Sequence, residues 1–221
     1  LREENYSNSI FFKILQAVEI NFNGFFYLST KLKPMEKIRC GWAGKEEIYV
    51  KYHDEEWGIP VREDDKQFEF LILETFQAGL SWITILRKRE NFREALDQFD
   101  YRKIAQYGEE KVQELMQNEG IIRNQLKIRA TITNAQAFMK VQEEFGSFTD
   151  YIWGFVNHIP VNGKRKSLKE VPATTELSDQ ISKDLKKRGF KFVGSTVVYA
   201  HLQATGIVND HLVDCICYVN N

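Results

Sequence analysis

Two residue pairs at opposite ends of the main body constrain this chain more than any other feature. Cys40 and His53 lie near its start, and His211 and Cys215 near its end. Twelve residues separate the first pair and three the second, so the second shares one face if that segment is helical. Together they offer two thiolates and two imidazoles, a donor set suited to tetrahedral zinc. Such a site would oblige distant segments of a 221-residue chain to meet. The order Cys-His…His-Cys is no standard zinc finger. The same residues also read as two ordinary polar histidines and two small buried hydrophobes. Spacing alone leaves both readings open.

The chain is 43% hydrophobic and 28% charged, the balance of a globular protein able to bury a sizeable core. A net charge of -1 excludes a global basic attraction to nucleic acid, so any DNA surface must be local. Three cysteines do not make a disulfide framework, and a reducing, cytoplasmic setting is expected. No apolar run reaches the length of a membrane span, and no membrane partner is expected. Residues 1–34 are rich in Phe, Ile and Asn and lack the cationic start and cleavage site of a signal peptide. They read as an N-terminal extension ahead of a natural start at Met35, or as a short helix covering part of the core. Residues 35–221 then form a single helical domain, expected to act as a monomer.

The body reads as helices. Asp64 or Asp65 can cap Lys66–Ala78, where Phe68, Leu71, Ile72 and Phe76 keep helical spacing and Gly79 is a natural stop. Ser81 opens Trp82–Arg89, and Asn91 a short helix through Asp97. Glu109–Asn118, Asn124–Phe145 and Phe148–Val156 follow. Ser178 opens a helix ended by Gly189, and Ser195 another ended by Gly206. Strand-like alternation is scarce, with Lys191–Val193 ambiguous. The basic segment Asn162–Ser167 reads as a surface loop inside one unit. The predicted class is all-α.

Two local patterns suggest chemistry. The helices Glu109–Asn118 and Asn124–Phe145 are joined by Glu119, Gly120, Ile121, Ile122 and Arg123. This resembles a helix–hairpin–helix, spanning about 109–145, whose turn aims free backbone N–H groups at a phosphate. A plain αα-hairpin is the commoner object. The second pattern is Glu74 inside the apolar run Phe70–Leu73 and Phe76, with Trp42, Tyr52, Trp57 and Trp82 nearby in sequence. A carboxylate among such residues is costly unless paired or functional. Aromatic rings around it describe a slot for a flat, cationic or hydrogen-bond-donating ring. The competing reading places the rings in the core and Glu74 on a solvent-facing stripe.

A wider set of segments carries a resemblance. Arg39–Trp42, Tyr52–Asp54, Glu56–Gly58, Gln77–Ile83, Lys88–Asn91, Gly120–Asn124, Phe155–His158, Lys186–Gly194 and Val208–His211 resemble, in order and spacing, bacterial 3-methyladenine DNA glycosylase I. The likeness covers about residues 35–218. It implies a helix–hairpin–helix glycosylase fold whose terminal segments are joined by a structural zinc on Cys40, His53, His211 and Cys215, with Cys217 a spare thiol. It implies a base pocket of Glu74, Tyr52, Trp42 and Trp82. The turn Ala78–Ser81, with Gly79 and Leu80 at its tip, would approach the gap left in the duplex. Gly120, Ile121, Ile122, Arg123 and Asn124 would hold a phosphate.

The implied activity is excision of 3-methyladenine from alkylated double-stranded DNA, with the free base as product. Methylation at N3 makes adenine cationic, so the base can leave as a neutral molecule and needs little help in leaving. Other glycosylases of this superfamily carry a catalytic Asp after the hairpin. Here Arg129–Met139 holds no carboxylate, so a monofunctional hydrolase is expected. Glu74 is the candidate catalytic and recognition group. Three other readings remain: a non-catalytic zinc-stabilised binder of alkylated DNA, a binder of free bases, and a relative with an altered lesion range such as 3-methylguanine.

Overall fold

The computed structural model describes residues 38–220. The expected extension 1–34 and the start at Met35 lie outside those residues. The first helix, α1 (Glu47–Glu55), follows a 3-10 turn at Gly41–Ala43. It was not legible in the sequence, because its apolar residues are spaced among Glu and Lys. The second, α2 (Asp64–Gln77), is the axis of the fold. Ten consecutive residues, Gln67–Phe76, are buried in it. A helix enclosed on every side must be apolar nearly all round, and this one is, apart from Gln67, Glu69, Glu74 and Thr75.

Four other described helices pack on that axis. Against α2 pack α3 (Trp82–Ala95), α6 (Gln125–Phe145), α7 (Phe148–Gly154) and α9 (Ser195–Ala204). The short α4 (Tyr101–Ile104) and α5 (Glu109–Gln117) lie on α6, and α8 (Glu176–Lys187) lies on α9. Phe68, Phe138 and Phe148 interlock across three helices, with ring centroids 5.2 and 4.2 Å apart. Trp153 is fully buried and donates its indole N–H to the Val61 carbonyl at 2.9 Å.

Several sequence expectations are corrected. Asp64 does not cap its own helix. Its carboxylate accepts from the backbone N–H groups of Phe148 and Thr149 at 2.9 and 2.8 Å, capping α7 instead. Asn91 starts no helix, because α3 runs on to Ala95 through Phe92, which is buried in the core. Thr175, not Ser178, caps α8, with Ser178 completing a reciprocal capping box. Lys191–Val193 forms no strand. Among the described residues the helical class holds except for one parallel bridge, β1 (Val161–Asn162) against β2 (Val208–Asn209). Its first strand ends on Asn162, the first residue of the segment read as a loop.

The buried ion cluster beside α2 is a second structural element. Arg89, buried on α3, donates to Glu69 at 2.7 Å and to Glu56 at 2.6 Å, and Arg93 and Lys66 also reach Glu69. Removing one partner leaves a buried charge uncompensated. Glu69→Ala is expected to lower stability by about 3–5 kcal/mol, measurable by denaturant melts.

Candidate active site and metal-binding cluster

A cavity of about 340 Å³ opens between α1, α2 and α9. Trp42, Tyr49, Tyr52, Trp57 and Trp82 wall it on one side, and Leu168, Val171 and Ala200 complete its apolar lining. Glu74, Gln77, Gln203 and Asp210 are its polar groups. The four residues of the expected base pocket therefore share one cavity. The Tyr52 ring lies 5.3 Å from Trp82 and 6.3 Å from Trp42, and Trp42 meets Trp57 edge-on at 4.8 Å.

Glu74 is 3% exposed, not on a solvent-facing stripe. Its Oε2 has no hydrogen-bond partner among the described residues. Burial alone pushes its pKa up to about 8. Tyr52 is raised well above its ordinary value, first by burial and then by the nearby Glu74. The indole N–H of Trp82 is also buried without a partner. One acceptor and one donor are thus left open in an aromatic cavity, where each would be expensive in an apolar core.

Asp210 is a pocket residue that sequence reasoning missed. It follows β2 and is 2% exposed. Its carboxylate accepts from Gln203 at 2.8 Å, from Arg165 at 3.1 Å and from the Tyr199 hydroxyl. Fully engaged, it is a fixture rather than a free base. The clue was an Asp directly before a candidate ligand His. Tyr49, Gln77 and Gln203 were missed because they lie on helices whose register sequence could not orient.

Cys40, His53, His211 and Cys215 are all buried, and their ligand atoms lie within 4.8 Å of one another. His211 and Cys215 meet through a turn rather than a helix, with the Cys215 N–H donating to the Leu212 carbonyl at 2.8 Å. The sulfur of Cys215 is 3.4 Å from His53 Nε2, and both sulfurs are 3.6 Å from His211 Nδ1. The outer ring nitrogens are held as metal-binding imidazoles usually are. His53 Nδ1 meets Asp54 at 2.8 Å, and Arg39 grips the same carboxylate at 2.7 Å. Those contacts, Arg39 first, hold Asp54 down at about 2. His211 Nε2 meets the Trp57 carbonyl at 3.0 Å. Backbone N–H groups of Leu212 and Cys217 donate to the Cys40 and Cys215 sulfurs, each at 3.4 Å. Burial lifts the Cys40 thiol to about 12 and drops His211 to about 4. Such an environment leaves imidazole neutral and admits thiolate only beside a cation. The group could hold a metal ion.

The two turns expected at DNA lie beside each other. Gly79, with φ +86°, ends α2, and Leu80 projects at its tip, 41% exposed. In the hairpin, Ile121 is buried and Ile122 partly so, while Arg123 and Asn124 are exposed. Asn124 caps α6 through the Lys127 N–H at 3.1 Å. A Cβ on Gly120 would stand 2.9 Å from Asn118 Oδ1 and 3.0 Å from Asn91, so the turn packs too closely for a larger residue. The N–H groups of Ile122 and Arg123 have no partner among the described residues.

Comparison with known proteins gives the family and the fold. A relative from Escherichia coli, DNA-3-methyladenine glycosylase 1, is 50% identical over 83% of this chain and 98% of its own. A DNA-3-methyladenine glycosylase from Haemophilus influenzae is 49% identical over 81% of this chain and 97% of its own. A crystal structure of a 3-methyladenine DNA glycosylase I superposes with a TM-score of 0.80 at 48% identity, covering 82% of this chain and all of that one. The Staphylococcus aureus enzyme, solved to explain 3-methyladenine recognition, gives 0.80 at 34% identity over 83% of this chain and 97% of that one. The methyladenine glycosylase family model matches residues 42–218, and the chain belongs to that family.

Proposed function

We propose that this chain excises 3-methyladenine from alkylated double-stranded DNA by hydrolysing the N-glycosidic bond and leaving an abasic site. One observation carries the reading: the buried, unpartnered Glu74 carboxyl in an aromatic cavity. Such a group is complementary to a ring bearing both positive charge and N–H donors: adenine already carries the exocyclic amino N–H groups, and methylation at N3 adds the charge. The cavity is at the small end of the range for ligand sites, so it suits one flat base. Extraction of the base costs a few kcal/mol of stacking and pairing, and less for a damaged one. Trp82 stacks on the extracted base, and Trp42 and Tyr52 shape the slot. The cationic ring offsets the burial that keeps Glu74 protonated, so on binding Glu74 releases its proton to solvent and, ionised, accepts hydrogen bonds from the adenine N–H groups. The sugar departs as an oxocarbenium-like cation and is captured by water, while the base leaves neutral.

The DNA-facing parts are the Gly79–Leu80 tip and the hairpin Gly120, Ile121, Ile122, Arg123 and Asn124. The free N–H groups of Ile122 and Arg123 suit a phosphate in a chain with no net basic charge. Residues 35–221 act as one glycosylase domain, with the helix–hairpin–helix at about 109–145.

The cluster Cys40, His53, His211 and Cys215 is read as a structural zinc site. With Zn–S about 2.3 Å and Zn–N about 2.0 Å, neighbouring S and N ligands stand roughly 3.5 Å apart. The separations of 3.4, 3.6 and 3.6 Å support that ion. Four protein ligands leave no open position, so zinc would supply fold stability, not chemistry.

Incubation with methylated duplex DNA and chromatography of the released bases tests the function. Release of 3-methyladenine is expected, and none from a folded protein would favour a non-catalytic binder. Glu74→Gln is expected to impair excision and, at the same time, to stabilise the protein. The unfolded carboxyl titrates near its ordinary value, whereas the folded one holds its proton to about 8. Between those values the folded state binds the extra proton, so stability falls as pH rises across that window. The Gln variant lacks this slope and should be more stable at neutral pH by roughly 1–3 kcal/mol, read from melts at several pH values. Trp82→Ala should weaken binding of free 3-methyladenine by about 1–3 kcal/mol in calorimetry. Cys215→Ser should lower zinc content and Tm together, and wild-type protein lacking metal in elemental analysis would remove the zinc assignment.

A further inference from the structure

The two DNA-facing turns hold each other through side chains that neither the pocket nor the hairpin uses. Lys127 lies in the first turn of α6, just past the hairpin, and is 6% exposed. Its ammonium donates to the carbonyls of Phe76 at 2.9 Å and Ala78 at 2.8 Å. These belong to the end of α2, where the chain turns towards Leu80. The Leu80 N–H has moved back to the Gln77 carbonyl, which leaves Phe76 without its helical partner. Burial lowers the Lys127 pKa, and no carboxylate pairs with it among the described residues. The clamp is answered from the other side. Lys88 on α3, the helix that begins directly after the Leu80 turn, donates to the carbonyls of Glu119 at 3.0 Å and Gly120 at 3.2 Å. Asn91 adds a bond to Gly120 at 3.3 Å. Each turn thus has its carbonyls drawn inward by a lysine from the other turn's helix. What remains outward is the Leu80 side chain on one and the N–H groups of Ile122 and Arg123 on the other.

We propose that Lys127, with Lys88 as its counterpart, is a positioning residue that fixes the Leu80 tip at a set offset from the phosphate-holding hairpin, so that gripping the backbone and displacing the base occur as one rigid act. This rests on the reading of both turns as DNA-facing. A tip displaced by even about an ångström can cost orders of magnitude in rate while leaving remote binding intact.

The test uses Lys127→Met, which keeps the aliphatic stem and removes the donor. Three quantities are measured: affinity for free 3-methyladenine, affinity for undamaged duplex, and the single-turnover rate of 3-methyladenine release from methylated duplex at saturating enzyme. The first two are expected to stay within about threefold of wild type and the rate to fall by at least about tenfold, with Lys127→Arg recovering most of it. Lys88→Met, at a partly exposed position, should show the same split if Lys127→Met does not fold. An unchanged rate would overturn the proposal. A parallel loss of free-base affinity would also overturn it, since that marks general destabilisation. Leu80→Ala separates the two levels. If it also slows release while Lys127→Met does not, the coupling is wrong and the turn still faces DNA. If it has no effect, the reading of the turn falls, and the coupling with it.

Discussion

The meeting of distant segments at Cys40, His53, His211 and Cys215 is the constraint on which the rest of the site depends. The helix α1 is only nine residues long and buries just Tyr52 and His53 of its own. A helix so short has little stability of its own. What seats it is His53 in the cluster and Asp54 in the grip of Arg39. Yet α1 carries Tyr49 and Tyr52, and the turns on either side of it carry Trp42 and Trp57. Most of the aromatic wall is therefore positioned by the cluster as well as by the hydrophobic core it packs against.

Two carboxylates on one helix show how differently the fold treats charge. Glu69 and Glu74 are both buried on α2, little more than one turn apart. Glu69 is surrounded by three cations and lies below its ordinary pKa despite the opposing effect of burial. Glu74 has none, and burial lifts it. The stability lost at Glu74 is the kind that binding sites retain, because a pre-satisfied carboxylate would have nothing left for a ligand.

Much of this was legible in the sequence, for identifiable reasons. Helices with a clear apolar face, such as Asn124–Phe145, came out within a residue of their bounds, because a cap and a period of 3.6 mark them. A carboxylate in an apolar run with Trp42, Tyr52, Trp57 and Trp82 nearby suggested a slot but left a core reading open; the set Glu74, Tyr52, Trp42 and Trp82 came from the family resemblance, and all of these residues line one cavity. Long-range polar pairings were not legible. Asp64 looked like a local cap and serves a helix 84 residues on. Asp210 needed Tyr199, Arg165 and Gln203 to explain its burial, and no period links those four residues. The 3-10 turn and the β bridge are too short to leave a pattern, and the apolar residues of α1 are too interspersed with Glu and Lys to mark a face.

The shared wall between pocket and cluster has a consequence for how such a site can change over time. Trp42 packs on His53 at 5.2 Å, Trp57 on His211 at 4.6 Å, and Asp210 adjoins His211. A substitution in any of these disturbs a ligand of the cluster as well as the slot. Gln77 and Gln203 are fixed within helices packed on the core. Leu168, 43% exposed, lies instead on a surface 3-10 turn away from the cluster and outside the packed core, and Val171 at its cap packs only partly on that core. Drift in the shape of the slot has one tolerant side, and a lineage that came to accept a bulkier base would have widened it there.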